Sequence, residues 1–201
     1  MKLLLASVAA NMMDKFMKYI PLNYKIVGFI ATASDNDSNK SYMQKDKDKL
    51  IELGFKIIDI DLKTTNSNLL ENLNKVDIIF VAGGNSFYLL EKSIESGFDK
   101  ILTKLFKTDM IYIGSSAGAV IIGPTIAPFT KLDDPNQAKN LKSYNGINLT
   151  NKLLFVHSDD FSCAQIYNSI YKKYSLNYDV IKLTNDKGLV IEDNVVTRIN
   201  S

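Results

Sequence analysis

Cysteine, histidine and arginine are all scarce in this chain. A single thiol, Cys163, stands among 201 residues, which excludes an internal disulfide and any multi-thiolate metal site and suits a reducing compartment. Arg198 is the only arginine and the remaining basic residues are lysines, which limits what can clamp a carboxylate. No apolar run reaches the ~18 residues that a membrane-spanning helix needs. The opening Met1–Ala10 has one lysine ahead of a short apolar run, and no second hydrophobic segment follows. It therefore reads as a buried first strand rather than a secretory leader. Charge of one sign is lacking too. Twenty-four basic against 22 acidic residues give a net charge of +2, so no electrostatic footprint points to nucleic acid. The hydrophobic fraction of 46% and charged fraction of 23% are ordinary, and the length suffices to bury a core in one domain. The expectation is one cytoplasmic domain, residues 1–201, without a membrane or nucleic-acid partner.

What is present is a regular alternation. Short apolar, β-branched runs predict buried strands at Leu3–Val8, Lys25–Ala31, Phe55–Leu62, Val76–Ala82, Met110–Ile113, Leu153–His157 and Val180–Leu183. Segments with helical spacing separate them: Asn11–Tyr19, Ser41–Leu53, Asn66–Lys75, Ser86–Lys107 with an interruption near Gly97, Ala117–Ile122 and Ser162–Lys173. Apolar runs without period-two alternation are what strands covered on both faces look like. Alternated with helices they predict parallel βαβ units, hence an α/β fold of three αβα layers. The tail differs, because Gly188–Glu192 and Val195–Asn200, split by Asp193 and Asn194, read as a β-hairpin. The least regular stretch, Gly123–Asn148, holds Pro124, Pro128 and Pro135 and is too long for an idle loop, so it is expected to border a site.

Three features carry chemistry. Gly114-Ser115-Ser116-Ala117-Gly118 joins a predicted strand to a predicted helix. A serine there sits in a strained turn with its hydroxyl exposed, and small neighbours let strand and helix backbones pass closely. Ser116 is thus the candidate nucleophile, although the same small residues could serve packing or phosphate binding. Gly83-Gly84-Asn85-Ser86 follows another strand, where the glycines permit a tight turn and close approach to a ligand. An N–H there could join that of Ala117 in an oxyanion hole, or the turn could be capped by Asn85 or Ser86 or cradle phosphate. The third feature is His157, the one imidazole available as general base, at the carboxyl end of a strand as Ser116 is. Asp159, Asp160 and Asp186 are the candidates to orient it, with Asp186 best placed to reach across.

These residues resemble the dipeptidase E (aspartyl dipeptidase) family of serine peptidases, to which the cyanophycinases are related. The likeness rests on Leu3-Leu4-Leu5, Phe29-Ile30-Ala31-Thr32-Ala33-Ser34, Gly83 to Leu90, Gly114 to Ala119, Tyr144-Asn145-Gly146-Ile147 and His157. It implies a fold similar to the class I glutamine amidotransferases, with a mostly parallel, flavodoxin-like sheet. It also implies Ser116 as nucleophile, His157 as base, Gly84 and Ala117 as oxyanion donors, and Asn85 and Ser115 beside the substrate. The family's third member falls best on Asp186, although a one-residue slip would put Asn185 there. The order Ser, His, acid differs from that of the α/β-hydrolases. Aspartyl dipeptidases carry a basic residue beyond the His to hold the substrate's carboxylate, whereas residues 158–173 contain no Arg.

The implied activity is hydrolysis of short peptides through an acyl-enzyme, with no metal or organic cofactor; a homodimer is compatible with it. Two alternatives stand beside it. One is an esterase or amidase acting on a non-peptide substrate. The other is an inactive flavodoxin-like protein whose glycine turns hold a phosphate or nucleotide.

Overall fold

The first strand, β1 (Lys2–Ala6), sorts its side chains by parity: Leu3 and Leu5 enter one core and Leu4 and Ala6 the other, all four buried. The same division runs through β2 (Ile26–Ile30), β4 (Ile78–Val81) and β5 (Ile111–Ser115), in which nearly every residue is buried. Both faces of the sheet are therefore covered, as the unbroken apolar runs predict. A computed structural model describes residues 1–64, 66–193 and 195–200.

The seven strands lie in the order β3-β2-β4-β5-β1-β8-β9. Those from β3 (Lys56–Asp59) through β1 pair in parallel, and β8 (Lys187–Glu192) and β9 (Val195–Asn200) add an antiparallel edge. The expected terminal hairpin strands are present and pair antiparallel, and Asn194, expected to split them, lies outside the described residues. On one face, α1 (Ala9–Phe16) buries Met12, Met13 and Phe16, and α2 (Ser41–Glu52) buries Leu50. The opposite face carries α3 (Asn66–Leu73), α4 (Ser86–Glu95), α5 (Phe98–Leu105) and α6 (Ala117–Val120). Each fully buried Leu, Ile or Phe contributes roughly 1.5–3 kcal/mol. The interruption expected near Gly97 separates α4 from α5, and Gly97 takes a left-handed φ of 75°.

One arrangement was not readable from periodicity. Strands β6 (Lys152–Phe155) and β7 (Asp179–Lys182), linked by α7 (Ala164–Tyr174), do not join the main sheet. They form a separate two-stranded parallel ribbon. The predicted strand at 55–62 is also shorter than expected, because Ile60 and Leu62 are buried beyond the last paired residue, Asp59. The two sheets meet at the carboxyl end of β1, which is where Ser116 and His157 come together.

Candidate active site

Ser116 stands between β5 and α6 with φ 49° and ψ −113°, a conformation costing roughly 1–3 kcal/mol for a residue with a side chain. Its surroundings hold it there. The Ser116 N–H donates to Ala6 O at 2.9 Å, and its carbonyl accepts from Ala119 N at 2.8 Å and Val120 N at 3.0 Å. Gly118 explains the closeness of strand and helix: a Cβ added there would fall 2.1 Å from Val81 O. Gly84 has φ 137°, and a Cβ on it would lie 2.2 Å from Ala33 O. Only glycine fits either position. Neither the Gly84 N–H nor the Ala117 N–H donates to another protein group among the described residues.

His157 follows β6 and also has a left-handed backbone, φ 53°. Its Nε2 is 2.9 Å from Ser116 Oγ, and its Nδ1 is 2.6 Å from Asn185 Oδ1. An amide oxygen only accepts, so Nδ1 carries the proton and Nε2 turns its lone pair to the serine hydroxyl. Ser7 fixes the backbone of this histidine: its Oγ accepts from His157 N at 3.0 Å and donates to Leu183 O at 3.0 Å. Ser7 thus ties the ribbon to the end of β1, the strand whose Ala6 carbonyl holds Ser116.

The expected orienting acid, Asp186, is elsewhere. Its carboxylate accepts from the Thr184 hydroxyl, which holds it below the usual carboxylate range. Asp160 caps the turn that precedes α7, accepting from Ser162 N at 2.9 Å. Asp159 accepts from the Asn185 N–H at 3.2 and 3.3 Å and so acts on the loop, not the ring. Among the described residues no carboxylate hydrogen-bonds the imidazole. Asn185 does, as the one-residue slip allowed. The physical reason is the tight turn after β7, closed by Lys187 N to Thr184 O at 3.1 Å, which sends neighbouring side chains in different directions.

Two further expectations are resolved by partners. Asn85 lines the cleft, but its Oδ1 caps α4 by accepting from Phe87 N and Tyr88 N at 3.0 and 2.9 Å, and its Nδ2 donates to Asp134 O. Ser115 is buried, with Oγ accepting from Ala9 N at 3.1 Å and its hydroxyl near enough to Asp46 to pull that carboxyl's pKa down. Both side chains are committed to the fold.

The cleft at Ser116 encloses about 550 Å³, and Ser7, Tyr42, Gly83, Gly84 and His157 are among its walls. Asp37, Asp46, Asp133 and Asp134 also line it, with no Lys or Arg. Burial pushes the Asp46 carboxyl up to about 6, against the opposing pull of the Ser115 hydroxyl, the Ala10 N–H and Lys45. Asp133 is raised as well, chiefly by burial. Sequence reading missed Ser7 and these acids. The one signal for Asp46 was its place four residues before Leu50, on the buried face of α2. Asp133 and Asp134 belong to the irregular stretch expected to border a site.

The architecture is that of an α/β protein with a mostly parallel sheet, in which a serine on a strained strand-to-helix turn faces an imidazole held by an amide. A model of peptidase family S51 matches residues 3–199. The chain belongs to that family and is a peptidase by descent. An uncharacterized peptidase of Listeria innocua is 31% identical over 180 residues, covering 89% of this chain and 86% of the relative. Peptidase E of Salmonella arizonae is 34% identical over 110 residues, 54% of this chain and 47% of its own length. A crystal structure of a Listeria monocytogenes protein, provisionally described as a peptidase E, superposes with a TM-score of 0.92. Its identity is 29%, and the match covers 100% of this chain and 98% of that one. At 18% identity and a TM-score of 0.75, a peptidase from an acI-B1 Actinobacterium shares the fold.

Proposed function

We propose that the chain is a serine-type peptidase that hydrolyses short peptides in the cytoplasm through an acyl-enzyme on Ser116. The observation that carries this reading is the 2.9 Å contact between Ser116 Oγ and His157 Nε2, made from the strained turn between β5 and α6. Ser116 Oγ attacks the scissile carbonyl while His157 Nε2 takes its proton. The carbonyl oxygen, now anionic, is held by the N–H groups of Gly84 and Ala117. Collapse expels the peptide amine, which takes the proton back from His157. Water, deprotonated by the same nitrogen, then attacks the ester and frees Ser116. Asn185 keeps the imidazole in the tautomer that this sequence requires. No step calls for a metal or organic cofactor.

The carboxylates in the cleft weigh against the phosphate-binding alternative, since a phosphate would meet four acids and no cationic side chain. A fluorophosphonate probe tests the proposal directly. We expect wild type to be labelled at Ser116, and a dipeptide library to be cleaved by wild type but not by Ser116→Ala. Full hydrolysis by Ser116→Ala would overturn it.

A further inference from the structure

We infer that the cleft selects peptides whose amino-terminal side chain is positively charged, and that Asp133 is the residue that reads this charge. The inference rests on the serine-peptidase reading of Ser116 and goes beyond it to the substrate class.

Two hollows flank the Ser116–His157 pair. The larger cleft carries Asp37, Asp46, Asp133 and Asp134, and a smaller one of about 200 Å³ carries Asp133 and Asp160. Neither is lined by Lys or Arg. Among the described residues none of these five acids has an ion-pair partner, although the chain as a whole is slightly basic. The negative charge is therefore local to the place where a substrate would lie. Among the described residues, no group of three or more His, Cys, Asp or Glu is placed to hold a metal ion.

Asp133 is common to both hollows and lies within Coulombic reach of His157. Its Oδ2 accepts from Ser86 N at 2.9 Å and Ser86 Oγ at 2.6 Å, so the carboxylate is fixed in place. Its other oxygen has no donor among the described residues. The smaller hollow adds apolar walls from Val120, Phe129, Leu132 and Val156. Apolar walls with a carboxylate at the rim suit a side chain with an aliphatic stem and a cationic end. In a partly desolvated cleft such a pair is less screened than on the surface. An acidic side chain would bring like charge to the same wall with no donor to receive it, which is rejection by repulsion.

The test compares three dipeptides with a common second residue, Lys-Leu, Met-Leu and Asp-Leu, on wild type and Asp133→Asn, alongside fluorophosphonate labelling. All three share the free amino terminus, so their differences report the side chain. For wild type kcat/KM should be about tenfold or more higher for Lys-Leu than for Met-Leu, the scale of one interfacial charge pair, and lowest for Asp-Leu. Raising the salt concentration should shrink the Lys preference in wild type, a reading that needs no variant. In Asp133→Asn, whose amide oxygen can still accept from Ser86, the Lys-to-Met ratio should fall toward one. Labelling of Ser116 with equal cleavage of Lys-Leu and Met-Leu, or an Asp133→Asn protein that keeps the preference, overturns this inference alone. Absence of labelling and of all cleavage overturns the serine-peptidase reading and this inference with it.

Discussion

Asn185 Oδ1 lies 2.6 Å from His157 Nδ1, while Asp186, one residue along, faces the Thr184 hydroxyl instead. A neutral amide can fix the imidazole tautomer but adds no negative charge to stabilise imidazolium. An aspartate orienter is worth about 10⁴-fold in kcat where it has been removed, and a neutral one should be worth less. Asn185→Ala should therefore lower kcat roughly tenfold to a thousandfold with little change in KM. Asp186→Asn should leave kcat near wild type. Asn185→Asp places an anion beside the ring and favours its protonated form, so the acid limb of the pH–rate profile should move to higher pH. Steady-state kinetics of the three variants across pH 5–9 check this. A larger loss in Asp186→Asn than in Asn185→Ala would contradict the assignment.

Ser7 is the second relationship to test. Its hydroxyl joins the His157 N–H and the Leu183 carbonyl, one from each side of the β6–β7 ribbon, to the end of β1. Ser7→Ala leaves both groups without that partner and should cost roughly 1–3 kcal/mol of stability. Because it loosens the imidazole relative to Ser116, kcat and the rate of fluorophosphonate labelling should fall more than KM rises. Thermal melts together with kinetics separate the two effects. A variant with lowered Tm but unaltered labelling below its transition would show that Ser7 serves only the fold.

Asp46 makes stability depend on pH. Burial raises its carboxyl from 3.8 to about 6, so the folded protein prefers the protonated form. That contribution is fully present below about pH 4 and is lost as pH rises through 6. A shift of about two units corresponds to roughly 3 kcal/mol at most. Asp46→Asn cannot ionise, and its amide oxygen can still accept from Ala10 N, which now donates to Asp46 at 2.8 Å. The variant should match wild type near pH 4 and exceed it in Tm at pH 7. Melts at the two pH values decide it, and equal Tm at pH 7 would remove the argument.

Much of the fold was legible in the sequence because burial on both faces leaves a local trace. Strands such as Leu3-Leu4-Leu5 and Ile78-Ile79-Phe80 cannot alternate with polar residues when both parities enter a core. The tight strand-to-helix turn at Ser116 was legible for a similar reason, since Gly118 is dictated by contact with Val81 and strand and helix flank it in sequence. His157 was found because the chain has no other imidazole. The separation of β6 and β7 from the main sheet was not legible, because hydrophobic periodicity reports that a strand is buried, not which strand it pairs with.

By itself, then, the sequence determined the layered α/β order, the strained position of Ser116 and its pairing with the only histidine. These depend on short-range rules of sterics and burial. Tertiary structure decided that Asn185 rather than Asp186 meets the ring, that Ser7 registers the ribbon against β1, and that Asp37, Asp46 and Asp133 converge on one cleft. Each of those relations joins residues far apart in the chain or turns on the direction of one side chain in a tight loop. Only packing fixes such directions, and the charge of the cleft around Ser116 follows from them.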